Sequence, residues 1–204
     1  MHPRPTRGVY RMPANTRERI IETGAGIIHR KGFNHTGIQE ILNAADVPKG
    51  SFYNYFKSKE DFGLQLIDYF FAQFTQIAKE TLEDTSVSPL NRLYGFLTAF
   101  MEHFESQNYV GGCPIGNLAQ EMGDLSPAFR QKLKEAIDMM AEAYTRVLTE
   151  AQEAHKISKN LDVREAAYFI VAAWHGAIIQ MKLERSSAPL KNHRKFVFEH
   201  ILKK

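Results

Sequence analysis

A single thiol marks the first segment of this 204-residue chain that could do chemistry. Cys113 directly precedes Pro114 in a glycine-rich stretch, so we expect it at the N-terminus of a helix. The helix dipole stabilises a thiolate there and lowers the thiol pKa. A thiolate adds to electrophiles and is oxidised reversibly, which would suit a chemical sensor. A buried cysteine that packs as a small apolar residue is the alternative.

The residues that accompany this thiol favour a binding cavity over an active site. An enzyme would pair Cys113 with His103 or His175 as base, but no hydrolase or phosphate-loop motif supports that arrangement. The 8 histidines show no metal-ligand spacing, so we expect neither a metal nor a cofactor. Aromatic residues with a few polar groups suit a small-molecule cavity, although each can equally be plain core. The candidate lining residues are Phe100, His103, Cys113, Asn117, Tyr144, Trp174 and His175.

The second segment, residues 49–57, is short, polar, aromatic and basic. A capping-box pattern, Thr36 with Gln39, predicts a helix before it. Pro48 ends that helix and is expected at the first position of a second one, about eight residues long. A helix of this composition suits the major groove of DNA.

The second helix is expected to have two faces. Phe52 and Phe56 are four residues apart, which places both on one side, towards the core. An ordinary amphipathic helix pair would explain these two phenylalanines. It would not explain the lysines, tyrosines and asparagine on the opposite side, which favour contact with DNA.

The stretch from Thr16 to Leu66 resembles the DNA-binding domain of the TetR family of bacterial repressors. The run Lys-Gly-Ser-Phe-Tyr-Asn-Tyr-Phe-Lys-Ser-Lys-Glu at 49–60 is far more specific than a generic helix-turn-helix. Pro48 departs from the serine common at that position. Further matching residues are Ile20, Ala25, Gly32, Phe33, Thr36, Ile41, Ala45 and Val47.

This resemblance implies a homodimeric repressor that binds palindromic operator DNA and is released by a small-molecule effector. It assigns Lys49, Ser51 and Tyr53 to base edges or nearby phosphates. It assigns Thr36, Asn54, Tyr55 and Lys59 to phosphates. Gln39, Gly50 and Lys57 complete the expected DNA interface.

The segment Gly-Cys-Pro-Ile-Gly-Asn-Leu at 112–118 is similar to one in a TetR subgroup that includes the NemR and AcuR repressors. Those regulators respond to reactive or unsaturated small molecules. The resemblance implies that Cys113 reacts with an electrophilic effector. A non-covalent pocket in which Cys113 is structural stays open.

Composition indicates a globular protein with a basic N-terminal third. Charged residues make up 24% and hydrophobic residues 44% of the chain. Residues 1–60 carry a net charge of +5 and the remainder −2, which favours a head that binds a polyanion. No uncharged apolar run reaches the length of a membrane span, so we expect no membrane partner. One cysteine forms no internal disulfide, which fits the cytoplasm.

The periodicity predicts an all-α fold of about nine helices. We expect a flexible basic arm at 1–15, a helix-turn-helix domain at 16–60 and a regulatory, dimer-forming body at 61–204. A constitutive DNA-architectural protein is the rival interpretation, but it would need no cavity in so large a body.

The helix expected from Asp162 to Arg185 carries a stripe of mostly small side chains. Small residues let helices approach closely, so this stripe and the last helix are predicted to form a four-helix dimer interface. A stripe in the monomer core has the same periodicity. The predicted interface residues are Ala166, Ile170, Ala173, Ala177, Met181, Phe196 and Ile201.

Overall fold

The computed structural model describes residues 15–204, and within them all regular structure is helical, as predicted. The predicted N-terminal arm lies outside the described residues except for Asn15. The elements are α1 (Thr16–Lys31), α2 (Ile38–Ala44), a 3₁₀ helix (Lys49–Asn54), α3 (Lys59–Leu82), α4 (Pro89–Ser106), α5 (Pro114–Met122), α6 (Pro127–Glu153), α7 (Val163–Glu184) and α8 (Ala188–Phe196), which ends in a π-helical turn (Val197–Ile201).

Local caps set several of these boundaries. The side chain of Asn15 accepts the N–H of Glu18 at 3.0 Å and starts α1. The hydroxyl of Ser58 accepts the N–H of Asp61 at 3.0 Å and starts α3. Gly32 ends α1 with φ 88°, a conformation that glycine adopts without strain.

The helix α3 connects the two parts of the chain, which we call the head (16–60) and the body (61–204). Its first half packs on α1, and it continues into the body against α4 and α6. The pair α6 and α7 forms the centre of the body, and α8 packs on α7. Buried apolar side chains form one continuous core through head and body. A change of packing in one part can therefore alter packing in the other.

A tight double-glycine turn joins α4 to α5 beside α1. Gly111 and Gly112 have φ of 84° and 75°. A Cβ on Gly111 would lie 2.7 Å from the imidazole of His29, and one on Gly112 would lie 2.8 Å from the side chain of Ile178. Glycine at both positions therefore lets α1 and α7 approach the turn closely.

Among the described helices, α7 alone is long and apolar enough to cross a membrane, judged by length and composition. It packs against α6 and α8, and buried residues such as Ile170 and Met181 point into the body. The apolar composition is therefore that of a core helix and does not indicate a membrane protein.

Candidate functional site

The 3₁₀ helix and the turn after it present an exposed polar and aromatic face. Tyr53 is 64% exposed and Tyr55 39% exposed, which is unusual for side chains of this size. Ser51 is half-buried on the same segment. The other predicted contact residues that are exposed here are Lys49, Gly50, Asn54 and Lys57.

Phe52 and Phe56 are buried on the opposite face, as predicted. Their ring centroids lie 5.0 Å apart, and both rings also pack against Phe62 of α3. This aromatic cluster fixes the short helix to the rest of the head. The exposed side chains are therefore presented from a rigid base.

Two predictions about local structure in the head are wrong. The second helix is a six-residue 3₁₀ helix, and Pro48 precedes it with ψ 142° instead of occupying its first position. The Thr36–Gln39 capping box does not form, because Gly37 precedes α2 and no side chain caps it. Gln39 is exposed and bonds instead to Asn43, at 2.7 Å.

Thr36 is fully buried, which contradicts its predicted contact with phosphate. Its hydroxyl donates to the carbonyl oxygen of Gly32 at 2.7 Å, and its N–H donates to that of Phe33 at 3.3 Å. The side chain therefore stabilises the turn between α1 and α2 and is not available to DNA.

Lys59 also lies away from the exposed face of the head. Its ammonium group stands 4.6 Å from the ring centroid of Phe33, a cation–π contact. Desolvation lowers its pKa, and the nearby carboxylate of Glu121 partly opposes this. Lys59 is half-buried and contacts Phe33 near Glu121 of the body, which disfavours the phosphate contact predicted for it.

A cavity of about 410 Å³ lies in the body, next to the end of α1. Its walls are mostly apolar and aromatic, as expected for a small-molecule site. Six of the seven predicted pocket residues line it: Phe100, His103, Cys113, Tyr144, Trp174 and His175.

Asn117 is the exception. Its amide nitrogen donates to the carbonyl oxygen of Gly111 at 2.8 Å, and its amide oxygen accepts from Lys182 at 3.5 Å. It lines a neighbouring crevice of about 250 Å³ rather than the main cavity. Asn117 thus holds the double-glycine turn in place.

Cys113 caps α5, and its sulfur accepts the N–H of Gly116 at 3.5 Å. The helix start is where the sequence predicts it. The predicted fall in thiol pKa is wrong, however, because burial raises the pKa of Cys113 more than hydrogen bonds to the N–H groups of Gly116 and Ile115 lower it. The resting group is therefore a neutral thiol.

Two further polar groups share the cavity with this thiol. Tyr144 is 3% exposed, and burial raises the pKa of its hydroxyl, as does the neighbouring Cys113. Burial lowers the pKa of His175, so its imidazole is neutral at pH 7. A Cβ placed on Gly116 would lie 2.8 Å from the His175 ring and 3.7 Å from the Cβ of Cys113, so these groups border the same part of the wall.

The head meets the cavity through α1. The Nε2–H of His29 donates to the carbonyl oxygen of Gly112 at 2.9 Å, and the His29 ring also lines the cavity. Burial lowers the pKa of His29, and the positive charges of Lys182 and Arg30 lower it further. A neutral His29 thus connects α1 to the residue that precedes Cys113.

Sequence reasoning missed Glu121, at the other end of α5. Its two carboxylate oxygens accept the N–H groups of Phe33, at 2.8 Å, and Asn34, at 2.6 Å. These partners are 88 and 87 positions away in the chain, so no local pattern marks the contact. One body side chain thereby holds the loop that leads into α2.

Most of the predicted interface stripe on α7 is buried within the single chain. Ala166, Ile170, Ala177 and Met181 are buried inside the chain, and Ala173 is half-buried. The four buried side chains pack in the body, which leaves them no surface for a partner. On the last helix Phe196 is 54% exposed and Ile201 is half-buried.

The exposed face of α7 is apolar as well. Phe169 is 55%, Ile179 44% and Leu183 80% exposed, at spacings that place them along one side. Ala172 and Gly176, both exposed, lie between them. We call these five residues and Phe196 the α7 face. These exposed apolar residues, with small residues between them on α7, are typical of a helix interface.

Comparison with known proteins identifies both parts of the chain. Residues 20–66 match the family model described as bacterial regulatory proteins of the tetR family. Residues 89–197 match the tetracyclin repressor-like C-terminal domain. The second match covers more than half of the chain.

Curated relatives are similar along nearly their whole length. The repressor DhaR of Mycobacterium sp. strain GP1 is 37% identical, with 91% of this chain and 92% of the relative covered. The regulator AcuR of Cereibacter sphaeroides is 35% identical, with 90% and 84% covered. The repressor NemR of Escherichia coli K12 is 30% identical, with 87% and 89% covered.

Solved structures agree in fold. A regulatory protein TetR from Rhodobacter sphaeroides has a TM-score of 0.86 at 34% identity, covering 91% of this chain and 98% of that one. The reduced form of Escherichia coli NemR has a TM-score of 0.84 at 30% identity, covering 90% and 95%. This chain therefore belongs to the TetR family of bacterial transcriptional regulators, whose members bind DNA and are not enzymes.

Proposed function

We propose that this protein is a cytoplasmic, homodimeric repressor that leaves its operator when a small molecule enters the body cavity. The proposal rests on the two faces of the short helix in the head, one buried and one exposed. Aromatic and basic side chains stand exposed on a short helix that Phe52 and Phe56 fix to the core. That is the arrangement needed to place side chains against base edges and phosphates. An architectural protein without a ligand would not need the cavity in the body.

The DNA interface centres on Lys49, Ser51, Tyr53, Tyr55 and Lys57. We propose Tyr53 as a reader of the groove because it is the most exposed aromatic residue of the head. Lys57 is exposed and is proposed to contact phosphate. It replaces Lys59 in that role because Lys59 lies over Phe33.

Substitution with alanine separates these two roles. Lys57→Ala should weaken binding to specific and random duplexes alike, and should flatten the salt dependence by about one unit of slope. Tyr53→Ala should cost more on an operator selected from random DNA than on an unselected duplex. Lys59→Ala is the matched control and should keep the salt slope. Equal losses for Tyr53→Ala on both duplexes would make Tyr53 a positioning residue only.

For the dimer, we propose that the α7 face packs against its two-fold copy. Exposed apolar side chains lie on α7 and, at Phe196, on α8. The resemblance to TetR repressors implies pairing through the last two long helices, and TetR regulators are typically dimers. A two-fold interface is self-complementary, so one apolar face suffices for both protomers. Paired heads then read the two halves of a palindrome.

For the effector, we propose a small, mostly apolar molecule with an electrophilic double bond. The sulfur of Cys113 would add to the β-carbon of an unsaturated aldehyde. The carbon–carbon π electrons would move to the carbonyl, and the resulting enolate would take up a proton equivalent to the one lost from the thiol. The neutral imidazole of His175 and the hydroxyl of Tyr144 are the polar groups available to handle that proton and the carbonyl oxygen.

The raised pKa of the Cys113 thiol also supports the alternative, in which the effector binds the cavity without forming a covalent bond. Burial keeps Cys113 neutral, so reaction would depend on a molecule that enters the cavity rather than on a thiolate exposed to solvent. Cys113 would then be one lining group of a cavity that recognises shape and polarity.

Acrolein, compared with its saturated counterpart propanal, tests this choice. A covalent sensor predicts that acrolein releases the wild type from operator DNA, that propanal does not, and that Cys113→Ser binds DNA but ignores both. Release of both variants would favour the non-covalent pocket. If the thiol resists labelling in the native protein and acrolein does not release the DNA, Cys113 is structural.

A further inference from the structure

The cavity in the body opens to solvent at a rim that is mostly polar. Most of the residues that line the cavity are buried or half-buried, whereas five are exposed: Arg30, Gln73, His103, Gln107 and Val110. Exposed members of a cavity lining mark its mouth. The mouth therefore lies between the end of α1, α3, and the end of α4 with the loop that follows it. Among these five, Val110 is the apolar one, and it is 45% exposed.

Residues 107–110, which we call the flap, join α4 to the double-glycine turn. Asn108 and Tyr109 have φ of 53° and 60°, so two successive residues with side chains adopt left-handed backbone. This conformation is costly for residues other than glycine, although least so for asparagine. The closed flap therefore holds backbone strain that it would lose on opening.

The flap is attached less firmly than the turn after it. Within residues 15–204, its backbone N–H groups donate to carbonyl oxygens of α4 and of the flap itself, as in the 2.8 Å bond from Tyr109 to Phe104. The double-glycine turn is held from two other helices, by His29 of α1 and Asn117 of α5. The half-buried ring of Tyr109 packs on the core. The flap can thus swing about a turn that stays fixed.

We propose that the flap is the gate of the cavity, and that Val110 selects effectors by their width. This rests on the proposed function only in that the cavity takes a small molecule. Loops that close over a binding site often control how fast ligands enter. Val110 borders the passage, so the size of its side chain sets the width of the opening. Asn108 lies outside the cavity lining and affects only how easily the flap opens.

The single cysteine of the chain reports entry, because Cys113 lines the cavity. The measurement is the rate at which N-methylmaleimide labels Cys113 in the native protein, divided by the rate in the unfolded chain. Asn108→Gly removes left-handed strain from the closed flap and should slow native labelling about fivefold. Asn108→Val places a β-branched residue there and should speed native labelling. Wild-type rates in both variants would overturn the gate.

Gly63→Ala is the control for labelling through global unfolding. Its Cβ would lie 2.4 Å from Phe129 of α6, so it should destabilise the fold without touching the flap. Entry through the flap predicts a wild-type labelling rate in G63A. A rate that rises in step with the loss of stability would show that unfolding exposes Cys113, and this result would also overturn the gate.

Selection by width is tested with Val110→Ala against Val87→Ala, the same change at another exposed valine, between α3 and α4. N-phenylmaleimide carries the reactive ring of N-methylmaleimide on a wider body. In V110A, labelling by the wide reagent should gain several-fold relative to the narrow one, whereas V87A should keep the wild-type ratio. An unchanged ratio in V110A would refute the role of Val110.

The remaining outcomes separate the gate from the proposed function. If neither maleimide labels the native wild type, the flap is no entrance and the gate fails. If labelling follows the flap but the labelled protein still binds an operator selected from random DNA, the gate stands and release by a covalent effector fails.

Discussion

Ala172 lies at the middle of the α7 face, where a charge should separate the two protomers. It is exposed in the single chain, between Phe169 and Gly176, so a longer side chain meets no obstacle within the protomer. Ala172→Glu should therefore fold normally. In the proposed dimer the same carboxylate would be enclosed among apolar side chains of the partner.

The expected size of the effect follows from the two-fold symmetry. An uncompensated buried charge costs about 3–5 kcal/mol. Each dimer would enclose two, so the loss is about 6–10 kcal/mol, or a dissociation constant raised roughly 10⁴- to 10⁷-fold. A dimer of nanomolar affinity would then be monomeric at the concentrations of a sedimentation experiment.

The matched control is Ala72→Glu, the same substitution at an exposed position of α3. Sedimentation velocity should show a dimer for the wild type and for A72E, and a folded monomer for A172E with an unchanged helical spectrum. A172E should also lose operator binding, since single heads cannot span two half-sites. A stable A172E dimer would place the interface elsewhere and refute the assignment of the α7 face.

Two further predictions concern stability. Gly63→Ala should lower the free energy of unfolding by about 1–3 kcal/mol in a denaturant titration, since its Cβ would lie 2.4 Å from Phe129. The control is Gly95→Ala, which has open space around it and should be neutral or stabilising. Stability should also fall as the pH drops below about 6.5, because burial lowers the folded-state pKa values of His29, His175 and His193, so the unfolded chain binds more protons. A flat profile between pH 7 and 5 would contradict this cause.

The sequence predicts helix boundaries well where the cap is local. Ser58 and Asp61 lie three residues apart, the spacing of an N-cap contact, and form that contact at the start of α3. Thr36 and Gln39 have the same spacing and fail, because the Thr36 hydroxyl finds the carbonyl of Gly32 in the turn before it. A pattern of residue types cannot tell which of two nearby acceptors or donors the folded turn will offer.

The errors on α7 and at Cys113 arise from packing between distant segments. On α7 the buried stripe and the exposed α7 face are apolar alike, so helical periodicity does not reveal which of them is left accessible. At Cys113 the helix start is a local property and is predicted, whereas the desolvation that raises the thiol pKa comes from α5 packing into the body. Glu121 lies beyond sequence reasoning for the same reason.

The two apolar sides of α7 have a consequence for how repression depends on the amount of protein. A regulator that reads DNA as a pair, and whose protomers separate when dilute, occupies its operator in proportion to the square of protomer concentration. Occupancy would then fall fourfold when the protomer concentration falls twofold, in the regime where the operator is mostly vacant. Small changes in protein synthesis would therefore cause larger changes in operator occupancy. The apolar surface that Phe169 and Leu183 provide would set the dimer affinity, and so the concentration above which occupancy no longer follows the square of protomer concentration.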